Sequence, residues 1–406
     1  MDFLRDPFGF VIQEYTGWLG GLGLPAVWVD IIAKLTGALV LATGAMLFVV
    51  FLIWYERKLI GRIQDRFGPN RVGPWGIFQP VADMLKIFTK EYITPIGADK
   101  FAYNLAPILA VAAVLLLWSV LPLSVTVVGT DLNVGLLFLV AVGGLGEMSY
   151  ILAGWGSNNK YALLGAFRLV AQLISYEVPL VLSALVPVML AGTLSVNGIV
   201  QAQESVWFIV AAPAAALIFF IASIAEIGRS PFDLIEAESE LVAGYNIEYS
   251  GLKFGMFFVA EFLHAFTVSM IFATVFLGGW QGPGAAEIPV LGFVYLMLKT
   301  FVVYFVTILF RGTLPRFRID QMMNLNWKVL TPLSLALIMA MAIVGGLTRE
   351  LPVFWQVIAF LLVNLLLLGA TDQLMRLSQS RKTKSNLPMQ PLRKVLTTST
   401  KHGAGE

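Results

Sequence analysis

The sequence predicts an all-α polytopic membrane protein with about nine transmembrane helices. Hydrophobic residues make up 58% of the 406-residue chain and charged residues only 13%, and the mean hydropathy is +0.81. Such a composition excludes a soluble monomer. Nine apolar stretches reach the roughly 20 residues that a helix needs to cross a bilayer. Alternating apolar and polar segments typical of a membrane β-barrel are absent, so helices are expected to satisfy the backbone.

The apolar stretches divide the chain into three parts. Residues 1–25 are rich in aromatic residues and end in a glycine-rich run, which indicates an interfacial segment; they lack the pattern of a cleaved signal peptide. Residues 26–375 form the transmembrane domain, and residues 376–406 form a basic tail rich in Ser, Thr, Lys and Pro. The predicted crossings are Ala26 to Tyr55, Leu105 to Ser124, Val134 to Trp155, Tyr161 to Ala191, Val206 to Glu226, Leu252 to Leu277, Ile288 to Phe310, Val329 to Leu347 and Pro352 to Leu374.

The basic residues predict the orientation of these crossings. Most of the 27 Lys and Arg residues lie in the tail or in the loops that follow the first, third, fifth and seventh crossings, whereas Arg5 and Arg349 lie on the other side. Cytoplasmic loops of membrane proteins are enriched in Lys and Arg. We therefore expect the amino terminus outside, and the long loops and the tail in the cytoplasm.

The sequence also restricts redox chemistry. The chain has no cysteine and only two histidines, His264 and His402. Iron–sulfur clusters, thiolate zinc sites and cysteine nucleophiles are excluded, and two imidazoles are too few for a conventional haem or copper site. Any redox centre is therefore expected on another chain, and no metal site is predicted here.

Four glutamates fall inside predicted crossings. An isolated charge at mid-bilayer costs about 2.5–3.5 kcal/mol, so intramembrane carboxyl groups indicate function by default. Because low dielectric favours the neutral carboxyl form, such groups could take and pass a proton. The alternative is a set of buried structural pairs. The four residues are Glu147, Glu177, Glu226 and Glu261.

Two neighbours of these glutamates add detail. Pro179, two residues after Glu177, removes the helical hydrogen bond to the Ser175 carbonyl, so we expect water or a side chain to bond that carbonyl. His264 lies one helical turn after Glu261, where the two groups could share a proton or stabilise each other's charge. An ordinary hydrogen-bonded histidine is the alternative.

The loop from Glu226 to Glu248 is the most acidic part of the chain. Ser230 fits a helix N-cap, Pro231 the first helical position and Asp233 the reciprocal capping carboxylate. A solvated helix face and a hydrated proton path both remain open as explanations of its charge. On the predicted helix one stripe carries three carboxylates, which are Asp233, Glu236 and Glu240. The opposite side carries a fourth, Glu238.

The first inner loop is basic and is followed by an amphipathic stretch. Its apolar side runs from Ile77 to Phe88, and its polar side carries Asp83, Lys86 and Lys90. This pattern predicts an interfacial helix that walls a cavity. No phosphate-binding or dinucleotide motif occurs, so neither nucleotide nor nucleic-acid binding is expected.

Three polar segments carry a specific family resemblance. They read E-R-K-L-I-G-R-I-Q-D-R-F-G-P-N-R-V-G-P from Glu56, R-S-P-F-D-L-I-E-A-E-S-E-L-V-A-G-Y-N-I-E-Y-S-G from Arg229 and R-G-T-L-P-R-F-R-I-D-Q from Arg311. Across about residues 26–347 the chain resembles the H-subunit family of bacterial NADH:quinone oxidoreductase, the counterpart of mitochondrial NADH dehydrogenase subunit 1 of respiratory complex I. The ninth crossing, at about residues 352–374, lies beyond the resemblance.

The resemblance implies a subunit of the prokaryotic plasma membrane that couples quinone reduction to proton translocation. Its partners would be the peripheral quinone-reducing subunits, the antiporter-like membrane subunits, lipid and quinone, while NADH, FMN and Fe–S clusters would bind other subunits. The residues implied to line a quinone chamber are Arg57, Asp83, Lys86, Arg316 and Arg318. Those implied in the proton relay are Glu147, Glu177, Glu226, Asp233, Glu236, Glu238, Glu240, Glu248 and Glu261.

Three other functions are weaker interpretations. A membrane subunit of a related hydrogenase or formate hydrogenlyase would need no quinone chamber, and the intact first-loop motif argues against it. An autonomous transporter should contain inverted repeats, and none is evident in the sequence. A simple membrane anchor leaves the intramembrane glutamates unexplained.

Overall fold

All regular elements of the described structure are helices. The structure is a computed structural model that describes residues 6–23, 25–233 and 243–385, with side chains to residue 377. The helices are α1 (Pro7–Gly21), α2 (Ala26–Ile63), α3 (Gln79–Thr89), α4 (Lys100–Trp118), α5 (Gly135–Gly156), α6 (Lys160–Ala191), α7 (Val196–Ala202), α8 (Phe208–Ala211), α9 (Pro213–Ile227), α10 (Gly251–Phe276), α11 (Pro289–Thr313), α12 (Ile319–Leu325), α13 (Thr331–Leu347) and α14 (Val353–Ser385).

Eight helical segments within the described residues are long and apolar enough to cross a membrane. They are α2, α4, α5, α6, α10, α11, the run Ile319–Leu347 that includes α12 and α13, and Val353–Leu377 of α14. With the shorter apolar helix α9, they confirm a polytopic membrane protein of about nine helices.

The fifth predicted crossing, Val206 to Glu226, is interrupted rather than continuous. Ala212 adopts φ −133° and ψ 61° and separates α8 from the 15-residue helix α9. Pro213 explains the interruption, because proline has no N–H and disfavours helical geometry in the residue before it. One uninterrupted helix from Val206 was therefore a wrong prediction, and the crossing is split into two pieces.

Asn364 of α14 bonds the backbone at this interruption. Its side-chain oxygen accepts a hydrogen bond from the Ala214 N–H at 3.2 Å, and its amide nitrogen lies 3.4 Å from the Ala211 carbonyl. The side chain is fully buried. Because unpaired backbone groups are costly in an apolar interior, α14 supplies the polar contacts that the split crossing needs.

We expect Asn364→Leu to destabilise the protein by about 1–3 kcal/mol, because it leaves the Ala214 N–H unpaired in a buried site. Unfolding by a denaturing detergent in mixed micelles would measure the loss. Leu365→Ala, at a half-exposed position of the same helix, is the control and should cost less. Equal stabilities of the two variants would contradict this role for Asn364.

Helix α6 contains Pro179 without breaking. The Asn326 side chain, at the start of a π-helical turn after α12, donates a hydrogen bond to the Ser175 carbonyl. The expected side-chain partner for this carbonyl is thereby confirmed. The bond also fixes the α12–α13 run against the middle of α6.

Helix α10 occupies the centre of the fold. In its apolar 18-residue stretch 72% is buried inside the protein, whereas the corresponding stretch of α14 is 11% buried. The Trp118 indole donates to the Thr267 hydroxyl at 2.7 Å, and the Phe266 ring packs at 5.3 Å from Phe301. Glu261 and His264 lie on this central helix and are partly buried among its neighbours.

The acidic loop does not begin as predicted. Ser230 and Pro231 form a turn in which the Phe232 N–H donates to the Arg229 carbonyl at 2.9 Å, and Asp233 is not helical. The Pro231 carbonyl accepts from the Phe317 N–H at 2.9 Å. These contacts hold the segment in a turn, so the N-cap role of Ser230 and the helical start at Pro231 were wrong.

Candidate functional site

A buried ion cluster lies where α2, α11 and the end of α9 meet. One oxygen of Glu56 accepts hydrogen bonds from Arg229 and from the Tyr304 hydroxyl, the latter at 2.9 Å, and the other oxygen accepts from Arg311. Glu56 and Arg229 are each only 2% exposed. We call Glu56, Arg229, Arg311, Tyr304 and Glu261 the ion cluster.

Arg229 connects this cluster to α10. Its Nε lies 3.3 Å from a Glu261 oxygen, and its guanidinium stacks 4.6 Å from the Phe262 ring. Burial opposes the charge of Arg229, but Glu56 and Glu261 outweigh burial and keep its pKa above the ordinary value. The cluster therefore contains two guanidinium groups and two carboxylates whose charges compensate each other. Either kind of charge alone would be costly in this interior.

The predicted chamber residues are only partly brought together. Arg57, which follows Glu56 in the sequence, forms an ion pair with Asp83 of α3. Lys86, one helical turn after Asp83, is exposed. The Arg57–Asp83 pair is therefore next in sequence to Glu56 of the ion cluster.

Arg316 and Arg318 lie in the connection between α11 and α12. Within the described part of the chain, no ion pair joins either of them to Asp83, whose partner is Arg57. Arg318 is exposed, and its backbone N–H donates to the Gln321 side chain at 3.3 Å. Arg316 has one guanidinium nitrogen that is buried without a hydrogen-bond partner among the described residues. The place of these two arginines in a chamber stays a prediction.

His264 faces Glu226 rather than Glu261. Its Nε2 lies 3.9 Å from a Glu226 oxygen, and both side chains are about one-fifth exposed. Glu261, one turn earlier on α10, is instead drawn towards Arg229. The predicted partnership between Glu261 and His264 is therefore replaced by one across the interface of α9 and α10.

Two small adjoining cavities connect these groups with the other glutamates. The first, of about 40 Å³, is lined by Glu147, Glu226 and His264, and the second, of about 50 Å³, by the same three groups and Glu177. Each is large enough for a water molecule, which needs about 10–15 Å³ and two or more polar partners. Gly143 lines both cavities, and a side chain there would approach the Glu226 carboxyl at 3.7 Å. The glycine therefore keeps space beside that carboxyl.

The inner-loop carboxylates are distributed differently. Glu248 accepts a hydrogen bond from the Asn159 amide at 2.7 Å, and Asn159 also caps the start of α6. Asp233 is half-buried. Three predicted relay residues fall in the gap and lie outside the described residues, namely Glu236, Glu238 and Glu240.

Apart from Glu261, the ion cluster was missed by sequence reasoning. The first predicted crossing ended at Tyr55, so Glu56 was assigned to a solvated loop, whereas α2 continues to Ile63. Arg229 was named only as the first residue of a family motif, with no partner assigned to it. The signal for both was present, because a carboxylate and an arginine directly beside apolar crossings require partners.

Comparison with known proteins identifies the family. The NADH dehydrogenase family matches residues 36–342. Similar proteins include the second NADH-quinone oxidoreductase H subunit of Geobacter sulfurreducens, 50% identical over 70% of this chain and 88% of that protein. The corresponding H subunits of Dehalococcoides mccartyi strain CBDB1 and Geobacillus kaustophilus are 48% and 49% identical, each over 76% of this chain and over 85% and 92% of their own lengths.

The matched range contains the ion cluster, both cavities and all the predicted chamber residues, and it ends before α14. The identity extends over most of the length of each relative as well as most of this chain. The chain therefore belongs to the NADH dehydrogenase family, together with proteins named as H subunits of NADH-quinone oxidoreductase.

Proposed function

We propose that the chain is the membrane subunit of a proton-pumping NADH:quinone oxidoreductase that forms part of the quinone-access chamber and couples quinone reduction to proton translocation. The names of the relatives support the subunit role. The coupling role is supported by one observation above all, which is the continuity of charged groups from Arg57 to Glu177.

The continuity has four steps. Arg57 pairs with Asp83 on the chamber side and is the sequence neighbour of Glu56. Glu56 and Glu261 share Arg229. Glu261 is one helical turn from His264, which faces Glu226. Glu226 and His264 then share the cavities with Glu147 and Glu177. Each step therefore joins groups that are in contact, share a cavity, or lie one residue or one helical turn apart, and the proposal is that a charge change at one end is transmitted along them.

Proton movement is assigned to the cavity groups and charge transmission to the ion cluster. A carboxyl proton on Glu226 would pass to the His264 Nε2, which lies 3.9 Å away, or to water in the cavities that both residues line. Water in the two cavities would extend the path to Glu147 and Glu177. The guanidinium groups of Arg229 and Arg311 stay protonated and respond by shifting between their carboxylates.

The surroundings of the chain follow from this proposal. NADH, FMN and Fe–S clusters would bind other subunits, in keeping with a sequence that has no cysteine. The amino terminus would face outwards from a prokaryotic plasma membrane, with the basic loops on the cytoplasmic side towards the quinone-reducing subunits. Antiporter-like membrane subunits would receive the signal from Glu177, Asp233 and Glu248.

The chamber is tested with Arg57→Ala. We expect the KM for a long-tailed quinone to rise about tenfold, because the substitution removes a charged hydrogen-bond donor and leaves Asp83 without its ion-pair partner. NADH-driven quinone reduction in inverted membrane vesicles measures the change. Arg71→Ala, at an exposed position in the loop after α2, is the control. An unchanged KM for Arg57→Ala would remove this residue from the quinone route.

A further inference from the structure

A surface pocket on the inner-loop end of α2 is not used by the proposed coupling path. Its volume is about 430 Å³, which lies within the usual range for sites that bind small molecules. It opens on the side of α2 away from the buried Glu56 carboxylate. Its walls come from the end of α2 and the loop that follows, and are formed by Trp54, Lys58, Arg62, Phe67, Asn70 and Trp75.

Trp75 presents its indole at this pocket from an unusual backbone conformation. Its φ of +55° is in the left-handed region, which a bulky side chain rarely adopts. The conformation is held because the Trp75 carbonyl accepts bonds from the Trp54 indole and the Lys58 ammonium, both at 3.2 Å. The indole itself remains 73% exposed. A strained, anchored and exposed aromatic residue points to a ligand contact.

The positive charge of the pocket is not balanced. Lys58 donates only to neutral oxygens, the Pro69 and Trp75 carbonyls and the Asn70 side chain, at 3.0–3.4 Å. Arg62 is exposed, and no carboxylate among the described residues lies within ion-pair distance of either cation. Two cations beside aromatic walls favour an anionic, amphiphilic ligand.

The pocket continues an apolar helix face that is open to the surroundings. Val40, Leu47 and Phe51 are exposed by 70%, 66% and 42%, and they precede Trp54, Lys58 and Arg62 at spacings of three, four and seven residues along α2. The side of α2 that faces lipid therefore ends at the two cations. Tryptophan and basic residues at such an end mark the level of lipid headgroups.

We propose that this pocket binds the phosphodiester headgroup of an anionic phospholipid. Arg62 contacts the phosphate, and the unbalanced charge of Lys58 beside it attracts the anion. Trp54 and Trp75 pack against the glycerol region, and the acyl chains follow the exposed face of α2. A basic pocket on the cytoplasmic side of a membrane helix is chemically suited to such lipids. The site is separate from the coupling path, so its test is independent of the proposed function.

The proposal is tested by the lipid that the assembled enzyme retains. The enzyme is placed in nanodiscs of equal parts phosphatidylglycerol and phosphatidylcholine, and the lipids released from it are counted by native mass spectrometry. We expect Arg62→Gln to lower the retention of phosphatidylglycerol relative to phosphatidylcholine by about fivefold. Arg71→Gln removes the same charge from the loop that follows α2, outside the pocket, and should leave this ratio unchanged.

The variant Trp75→Gly distinguishes a loss of lipid binding from a loss of folding stability. Glycine adopts the left-handed conformation without strain, so the midpoint of thermal unfolding should stay near that of the wild type while phosphatidylglycerol retention falls. Unchanged retention in Arg62→Gln and Trp75→Gly would overturn the proposal. The proposal would also be overturned if the variants lost both lipids equally, or if inorganic phosphate alone released the bound phosphatidylglycerol. It would likewise be overturned if the variants lost bound quinone and kept phosphatidylglycerol.

Discussion

Glu56→Gln should destabilise the protein by about 3–5 kcal/mol, which is the usual cost of removing one partner from a buried ion pair. Arg229 would then pair only with the Glu261 carboxylate, Arg311 would lose its ion pair, and the cluster would carry an excess positive charge in the interior. Detergent-induced unfolding in mixed micelles would measure the loss, and NADH-driven proton pumping should fall with it.

The control for Glu56 lies on the same helix. Asp30→Asn breaks an ion pair with Lys34 in which both side chains are more than half exposed, and exposed pairs contribute little to stability. If Glu56→Gln were as stable as Asp30→Asn, the ion cluster would not support the fold and the first step of the coupling path would lose its basis.

Glu226→Gln should reduce NADH-driven proton pumping by about 100-fold, the order of magnitude that a proton-transferring group contributes. The amide keeps the shape of the side chain but cannot accept and release a proton. The fold should persist, because no buried charge is left without a partner. Proton uptake by inverted vesicles, compared with NADH oxidation in the same sample, measures the effect.

Two further variants sharpen this result. Glu177→Gln should act in the same direction, since Glu177 lines the second cavity with Glu226. Glu204→Gln, an exposed carboxylate outside both cavities, should pump normally. Wild-type pumping by both Glu226→Gln and Glu177→Gln would show that the cavity glutamates are structural.

Helical crossings were predictable because each is determined by its own local composition. Apolar length alone located α5, α6, α10 and α13 within about two residues at each end. The interruption at Ala212 was harder to predict, because its stability depends on Asn364, which is 150 residues away. Pro213 was the local signal in the sequence. It was overlooked because a crossing is predicted from the average hydropathy of about 20 residues, which a single proline hardly changes.

The candidate site was predictable as a set of residue types but not as a set of pairs. The free-energy cost of placing a charge inside the membrane was enough to single out four glutamates without any structure, namely Glu147, Glu177, Glu226 and Glu261. Which groups face one another depends on how α9 and α10 are packed, and that packing turned His264 towards Glu226. No one-dimensional pattern records this relation.

Glu56 shows a different limit. Helix ends are the least certain part of any prediction from sequence, and an error of a few residues moved this carboxylate from the interior into a loop. The prediction that Ser230 caps a helix failed for a related reason. Its capping signals are genuine, but contacts with Arg229 and Phe317 outweigh them.

The central claim is that the cavity carboxyl groups change protonation when quinone is reduced on the assembled enzyme. Redox-triggered infrared difference spectroscopy observes this change directly in the band of protonated carboxyl groups. We expect a reversible band in the wild type that is lost in Glu226→Gln and diminished in Glu147→Gln. Identical spectra from the wild type and Glu226→Gln would contradict the claim.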